Sequence, residues 1–201
     1  MSPGTTTLEL PPFAALLLAG GRSSRMGRDK ASLDWNGVSL LEHMSAVLRA
    51  AGATRVWRSG PFEGEDALPD RVPERGPVGG LASLARTADD GVYLVVPVDM
   101  PRLDSALLHS LLRALAEAPL PVRAACFVEH ALPLALRLDA ISRARIVERL
   151  DAPASARSLR AVHACLSGID VPLADTAHAQ LASANTPTEW QTLIHSQKDI
   201  A

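Results

Sequence analysis

The first strongly apolar stretch is FAALLLA, residues 13–19, and it stops at Gly20-Gly21. A short, unbroken apolar run bounded by glycine predicts a strand buried on both faces, as in a parallel sheet. Residues 54–58 (TRVWR) predict a second strand and residues 92–98 (VYLVVPV) a third. Residues 122–128 and 134–138 predict two more, and residues 181–184 a short final one. Between the strands the apolar period lengthens to that of a helix. Leu40, Leu41, Met44, Val47, Leu48 and Ala51 recur at helical spacing, after a capping box of Ser39 and Glu42 and before the stop at Gly52. Pro77 opens a helix to Arg86, with Gly76 before it and Leu81 and Leu84 facing inward. Asp104 caps a leucine-rich helix through Leu115. Residues 141–150 and, more briefly, 158–162 continue the helical pattern, and Thr186-Pro187-Thr188-Glu189 starts a closing helix with a second capping box. Asn36-Gly37 marks a tight hairpin turn, and residues 61–75, rich in Pro, Asp and Glu, read as a loop.

Strands alternating with helices predict an α/β fold, an open, mostly parallel twisted sheet with helices on both faces. Such sheets bind ligands beyond the carboxyl ends of their strands. The length of 201 residues suits one domain, expected over residues 13–197 after a loose tail at residues 1–12. Apolar residues at 47% suffice for a packed core, while aromatics at 3% leave little material for stacking bases. A net charge of −2 supplies no global basic field, so nucleic acid is not an expected partner. Cys126 and Cys165, with no CxxC pair, rule out a disulfide framework or a four-cysteine zinc site. The early apolar run at residues 11–20 is shorter than the ~20 residues that span a bilayer, and no Lys or Arg precedes Arg22. A soluble, cytoplasmic protein without a membrane partner is therefore expected.

The densest chemistry follows the first strand, in LAGGRSSRMGRDK, residues 18–30. Two adjacent glycines let the backbone turn sharply and approach a ligand, and their N–H groups can point at phosphate oxygens. Arg22, Arg25, Arg28 and Lys30, against the single acid Asp29, leave this loop at about +3 on a slightly acidic chain. A polyanion is the natural partner. The loop fits neither GxxxxGK[ST], since Arg28 follows Gly27 and Ala31 follows Lys30, nor GxGxxG. At the end of the third strand stands Asp99-Met100-Pro101, where a carboxylate beside a phosphate loop suits Mg²⁺, a hard cation that takes carboxylate and phosphate oxygens. Taken by itself, Asp99 could equally bond the backbone of its own turn. His163-x-Cys165 offers two metal ligands without further partners at useful spacing, a poor zinc site. Cys126, in an apolar strand, reads as a core thiol, and His43 as a surface or packing residue.

The loop resembles LAGGxSxRMGxxK, the signature of the molybdenum cofactor guanylyltransferase (MobA) family. Four more segments follow that family's order. Gly76-Pro77-Val78-Gly79-Gly80-Leu81 is similar to its GPLxGL turn, and Asp99-Met100-Pro101 to its DxP segment. Leu132-Pro133-Leu134-Ala135-Leu136 is similar to its PLxAL strand, and Ala184-Asn185-Thr186-Pro187-Thr188-Glu189 to its NxNTPEE ending. Ser183 stands where the family has a further asparagine, and Arg58-Ser59 where it has one on the nucleotide side.

The resemblance implies a Rossmann-like sheet of the nucleotide-diphospho-sugar transferase type and a nucleotidyl transfer. GMP would pass from GTP to the terminal phosphate of molybdopterin, giving the guanine dinucleotide cofactor and pyrophosphate. It implies nucleotide contacts from Leu18, Ala19, Gly20, Gly21, Arg25, Lys30, Asp70, Gly76 and Asp99, with Arg25, Lys30 and Asp99 catalytic, Asp99 holding Mg²⁺, and Asn185 orienting a phosphate or the acceptor. Proteins of molybdoenzyme maturation are possible partners. Two alternatives stay open at this level: a cytidylyltransferase on the same or another phosphate acceptor, and a non-catalytic nucleotide-binding regulator or adaptor.

Overall fold

A computed structural model describes residues 10–20, 29–69 and 75–198. The first apolar run forms β1 (Phe13–Leu18), buried almost throughout. After a turn of 3-10 helix at Lys30–Ser32, β2 (Asp34–Trp35) and β3 (Val38–Ser39) make a small antiparallel ribbon. Asn36 and Gly37 lie at positive φ between them (57° and 86°), the backbone a two-residue hairpin requires. Next come α1 (Leu40–Ala50), β4 (Val56–Ser59), the two-residue β5 (Ala67–Leu68), α2 (Gly76–Thr87), β6 (Gly91–Pro97) and α3 (Ser105–Glu117). The chain continues through β7 (Ala124–Phe127), β8 (Leu134–Leu138), α4 (Ala140–Asp151), α5 (Leu159–Cys165), β9 (Ile169–Val171) and α6 (Pro187–Lys198).

The main sheet has seven strands in the order β5-β4-β1-β6-β8-β7-β9. Among the described strands only β8 runs against its neighbours, pairing antiparallel with both β6 and β7, so the sheet is mostly parallel. Its two faces carry two separate cores. One gathers Leu40, Met44 and Leu48 of α1, Leu108, Leu111 and Leu112 of α3, and Trp190 of α6. The other gathers Leu81 and Leu84 of α2, Ile146 of α4 and Val162 of α5. Adjacent strand residues divide between them: Leu17 serves the first core and Leu16 the second.

The capping signals work as the sequence indicates. Ser39 accepts from the Glu42 N–H at 3.2 Å, and Glu42 accepts from the Ser39 N–H at 3.1 Å, closing the box on α1. Asp104 caps α3 through the Leu107 N–H at 2.8 Å. Two expectations fail. Residues 181–184 form no strand: Asp175–Leu181 is 3-10 helix and an extended coil follows. The last strand of the chain is instead Ile169–Val171, paired parallel to β7 at the sheet edge. The loop at 61–75 also contains β5, too short to leave a periodic signal. Among the described residues no helix is long and apolar enough to cross a membrane.

Candidate active site

The carboxyl ends of β1, β4 and β6 meet at one rim. Past β1, the Ala19 N–H donates to the Ser59 carbonyl at 3.1 Å and the Leu18 carbonyl accepts from the Val98 N–H at 3.0 Å. These bonds prolong the sheet by a residue and deliver Asp99 beside the exit of β1. They also occupy the Leu18 carbonyl and the Ala19 N–H, so Gly20, which is exposed, is the first residue of the stretch clear of the sheet. A Cβ on Gly20 would stand 2.9 Å from Gly60 Cα, closer than real side chains come to backbone. The exits of β1 and β4 therefore touch main chain to main chain, which only glycine permits.

Lys30 opens the 3-10 turn after the loop. Asp29 caps that turn, accepting from the Ala31 N–H at 3.1 Å, so the loop's one acid is engaged with its own backbone. The Lys30 ammonium donates to Asp99 Oδ2 at 2.6 Å and to Asn185 Oδ1 at 2.8 Å. The Lys30 and Asp99 side chains are 16% and 15% exposed, a pair partly shielded from water yet reachable from it. Asn185 reaches this point from the far end of the chain because its own backbone is fixed. Glu189 Oε2 accepts from the Asn185 N–H at 2.6 Å and from the Thr186 N–H at 3.2 Å, while Thr186 Oγ1 accepts from the Glu189 N–H. The capping box of α6 thus doubles as the mount for a site side chain.

The segment after Asp99 is braced from two sides. His43 Nε2 lies 2.8 Å from the Pro101 carbonyl, and the Arg102 guanidinium donates to the Leu193 carbonyl at 2.8 Å. Trp35 packs against both His43 and Trp190, with ring centroids 5.9 and 5.7 Å apart. In sequence His43 reads as a surface or packing residue; its partner lies 58 positions away, and no spacing signal could connect them. Gly76 begins α2 at φ 57°, followed by Pro77, and Arg75 at its N-cap makes no side-chain capping bond. A Cβ on Gly80 would lie 2.3 Å from Ser59 Oγ and 2.9 Å from Leu18 Cδ2, so α2 sits tightly on the ends of β1 and β4. Of the expected site residues, the structure brings Lys30, Asp99 and Asn185 to one point and sets Leu18, Ala19 and Gly20 at the same rim. Gly21, Arg25 and Asp70, with Arg22 and Arg28, lie outside the described residues. Arg58 and Ser59 have structural surroundings: Arg58 lies over the Phe62 ring and Ser59 is buried.

Chemically, the rim offers two hard oxygens, a carboxylate and an amide carbonyl, converging on a point where positive charge is already stabilised. A hard divalent cation takes the same donors, and a triphosphate brings the further oxygens such a cation needs.

Comparison with known proteins places this chain in a family. Residues 15–169 match the family described as MobA-like NTP transferase domain. Molybdenum cofactor guanylyltransferase of Xanthomonas euvesicatoria is 45% identical over 189 residues, covering 94% of this chain and 97% of that protein. The protein of the same name from Pseudomonas paraeruginosa is 35% identical over 118 residues, 55% of this chain and 60% of that one. Among solved structures, molybdopterin-guanine dinucleotide biosynthesis protein A of Archaeoglobus fulgidus superposes with a TM-score of 0.73 at 15% identity, covering 92% of this chain and 99% of that one. The 2-C-methyl-D-erythritol 4-phosphate cytidylyltransferase of Thermus thermophilus superposes with a TM-score of 0.65 at 18% identity, covering 91% and 98%. At these identities the two structures establish the fold alone.

Proposed function

This chain belongs to the MobA-like NTP transferase family, and we propose that it is a guanylyltransferase moving GMP from GTP to the terminal phosphate of molybdopterin. The single observation that carries the chemistry is the meeting of Lys30, Asp99 and Asn185 at the strand ends, beside the glycine exit of β1. The choice of GTP and molybdopterin follows the 45% identical relative.

The acceptor's terminal phosphate attacks the α-phosphorus in line. A new P–O bond forms, the bond from the α-phosphorus to the bridging oxygen breaks, and pyrophosphate leaves with the electron pair. A phosphate monoester has its second pKa near ~6, so the nucleophile is ionised at neutral pH and no general base is required. That fits a rim with no nucleophile–base pair among its described residues. Catalysis is then positioning and charge stabilisation. Gly20 and Gly21 bring backbone close to the nucleotide. Lys30 and Arg25 neutralise phosphate oxygens, Lys30 exchanging its bonds to Asp99 and Asn185 for them. Asp70 and Gly76 contribute on the nucleotide side, and Asn185 orients a phosphate. Asp99 and Asn185 have the hard oxygens that fit Mg²⁺, which when bound supplies charge neutralisation at the phosphates.

The test is pyrophosphate release from the purified protein with molybdopterin and, separately, GTP, CTP and ATP. GTP should be turned over at least tenfold faster than CTP. A preference for CTP would make the chain a cytidylyltransferase. Nucleotide binding without pyrophosphate release would make it a regulator.

A further inference from the structure

A second polar cluster lies at the other end of the sheet, among β7, α5 and β9. Cys126 on β7 and Asp170 on β9 are direct partners in the parallel register, so their side chains leave the sheet on one face. His163 reaches the same spot from α5. One ligand atom from each of the three lies within 4.8 Å of the others. Cys165, the near neighbour of His163 in sequence, takes no part, because its thiol turns to the Val162 carbonyl, in keeping with the poor zinc site its spacing implied. We propose that Cys126, His163 and Asp170 bind one zinc-type divalent cation, with solvent as the fourth ligand.

Thiolate, imidazole and carboxylate are the ligand types of tetrahedral zinc, and three protein ligands leave one open position. Atoms sharing such an ion at ~2.0–2.3 Å stand about 3.3–3.6 Å apart. Cys126 Sγ is 3.5 Å from Asp170 Oδ1, and His163 Nε2 is 3.9 Å from the same oxygen. The ligand atoms of Cys126 and His163 lie within 4.8 Å of each other, so closing the site draws the imidazole toward the thiol. Access is graded: Cys126 is 2% exposed, while the His163 and Asp170 side chains are 13% and 57% exposed, so an ion enters past the carboxylate. The seat for the ring is also built. A Cβ on Gly168 would fall 2.2 Å from His163 Cδ2 and 2.3 Å from Nε2, so the imidazole occupies space that any other residue there would fill.

The charges and protons balance. In the absence of an ion the Cys126 S–H donates to Asp170 Oδ1. A bound cation takes the place of that proton, which goes to solvent. Thiolate and carboxylate then match the two positive charges of the ion. His163 Nε2 contacts the Ile169 carbonyl at 3.1 Å; to ligate, it carries its proton on Nδ1 and exchanges that carbonyl for the ion. The ion would tie the three-residue edge strand β9 and the end of α5 to β7.

The test titrates chelator-treated protein with Co²⁺, then with Zn²⁺. One equivalent of Co²⁺ should produce a thiolate-to-cobalt charge-transfer band and tetrahedral visible bands, and Zn²⁺ should bleach them. At a hundredfold excess over Kd, Zn²⁺ should raise Tm by about 5–10 °C. Cys126→Ser should lose the charge-transfer band and Cys165→Ser keep it. Asp170→Asn, at an exposed position that leaves the core intact, should weaken Co²⁺ binding at least ~10-fold and covers the case in which Cys126→Ser fails to fold. Absence of the band in the folded protein, or Asp170→Asn binding as tightly as wild type, would overturn the proposal. So would a band that survives in Cys126→Ser.

Discussion

Two polar clusters sit on one sheet, and they differ in almost every physical respect. At the β1–β6 rim, two hard oxygens hold an ammonium at 2.6 and 2.8 Å, drawn from residues 30, 99 and 185. At the β7–β9 edge, a buried thiol, an imidazole and a carboxylate come from residues 126–170. The first cluster is assembled by the fold from distant segments and faces an open rim beside touching glycines. The second is a local product of strand pairing, with the thiol sealed inside. Hard donors and fixed positive charge suit phosphate chemistry; mixed sulfur and nitrogen donors suit a borderline metal that ties elements together.

Substitutions should separate the two functions, with the largest effect at the rim. Lys30→Ala and Asp99→Ala should each lower GTP-dependent pyrophosphate release by ~10²–10³-fold, the scale for losing one aligned electrostatic group. Both should keep the far-ultraviolet circular dichroism of the wild type and its Co²⁺ charge-transfer band. Cys126→Ser should do the reverse, losing the band and retaining turnover. A single substitution that removed both properties from a folded protein would erase the distinction.

A smaller effect should come from Glu189, which touches no phosphate. Its carboxylate fixes the Asn185 and Thr186 backbone, so it is a positioning residue. Glu189→Ala should lower kcat about tenfold, in line with losing hydrogen bonds to a charged group. Glu189→Gln, which keeps an acceptor, should recover part of that loss. Equal rates in Glu189→Ala and wild type would detach the capping box from the site.

The smallest effect should appear at a carboxylate already satisfied by the fold. Burial alone would raise Asp139, but the Ser142 N–H and the Arg123 guanidinium hold it below the ordinary aspartate value of 3.8. A group depressed in the folded state lends stability above its unfolded value and loses it as the pH falls through the folded one. Thermal melts should therefore show Asp139→Asn less stable than wild type near neutrality, with the gap closing as the pH drops below 3.8. A gap that persisted at low pH would show that the charge on Asp139 is not what matters there.

The sequence disclosed most where the chain signals locally. The capping boxes at Ser39 and Thr186, the Asn36-Gly37 turn and the unbroken run of β1 all left patterns a few residues long, and each formed as expected. The juxtaposition of Lys30 and Asp99 was accessible because both follow parallel strands, and parallel strands share a ligand-binding end. What stayed hidden depends on contacts between distant residues. The bracing of Pro101 by His43 and the hold of Arg102 on Leu193 have no local pattern. The edge strand β9 spans three residues, too few for a period, and its absence from the sequence reading left residues 181–184 as the only apparent candidate for a last strand. Cys126 and Asp170 are brought together by strand register and His163 by the packing of α5, and none of the three is linked to the others by a short sequence spacing.

The central claim is that the oxygens now holding the Lys30 ammonium are those that hold the cation of a bound triphosphate. Crystals grown with a non-hydrolysable GTP analogue and Mn²⁺, a stand-in for Mg²⁺ that scatters anomalously, test it directly. The account predicts an anomalous peak at coordination distance, about 2.1 Å, from an Asp99 carboxylate oxygen, with the Lys30 ammonium shifted onto phosphate. A peak elsewhere, with the Lys30–Asp99 pair intact beside the bound nucleotide, would contradict it.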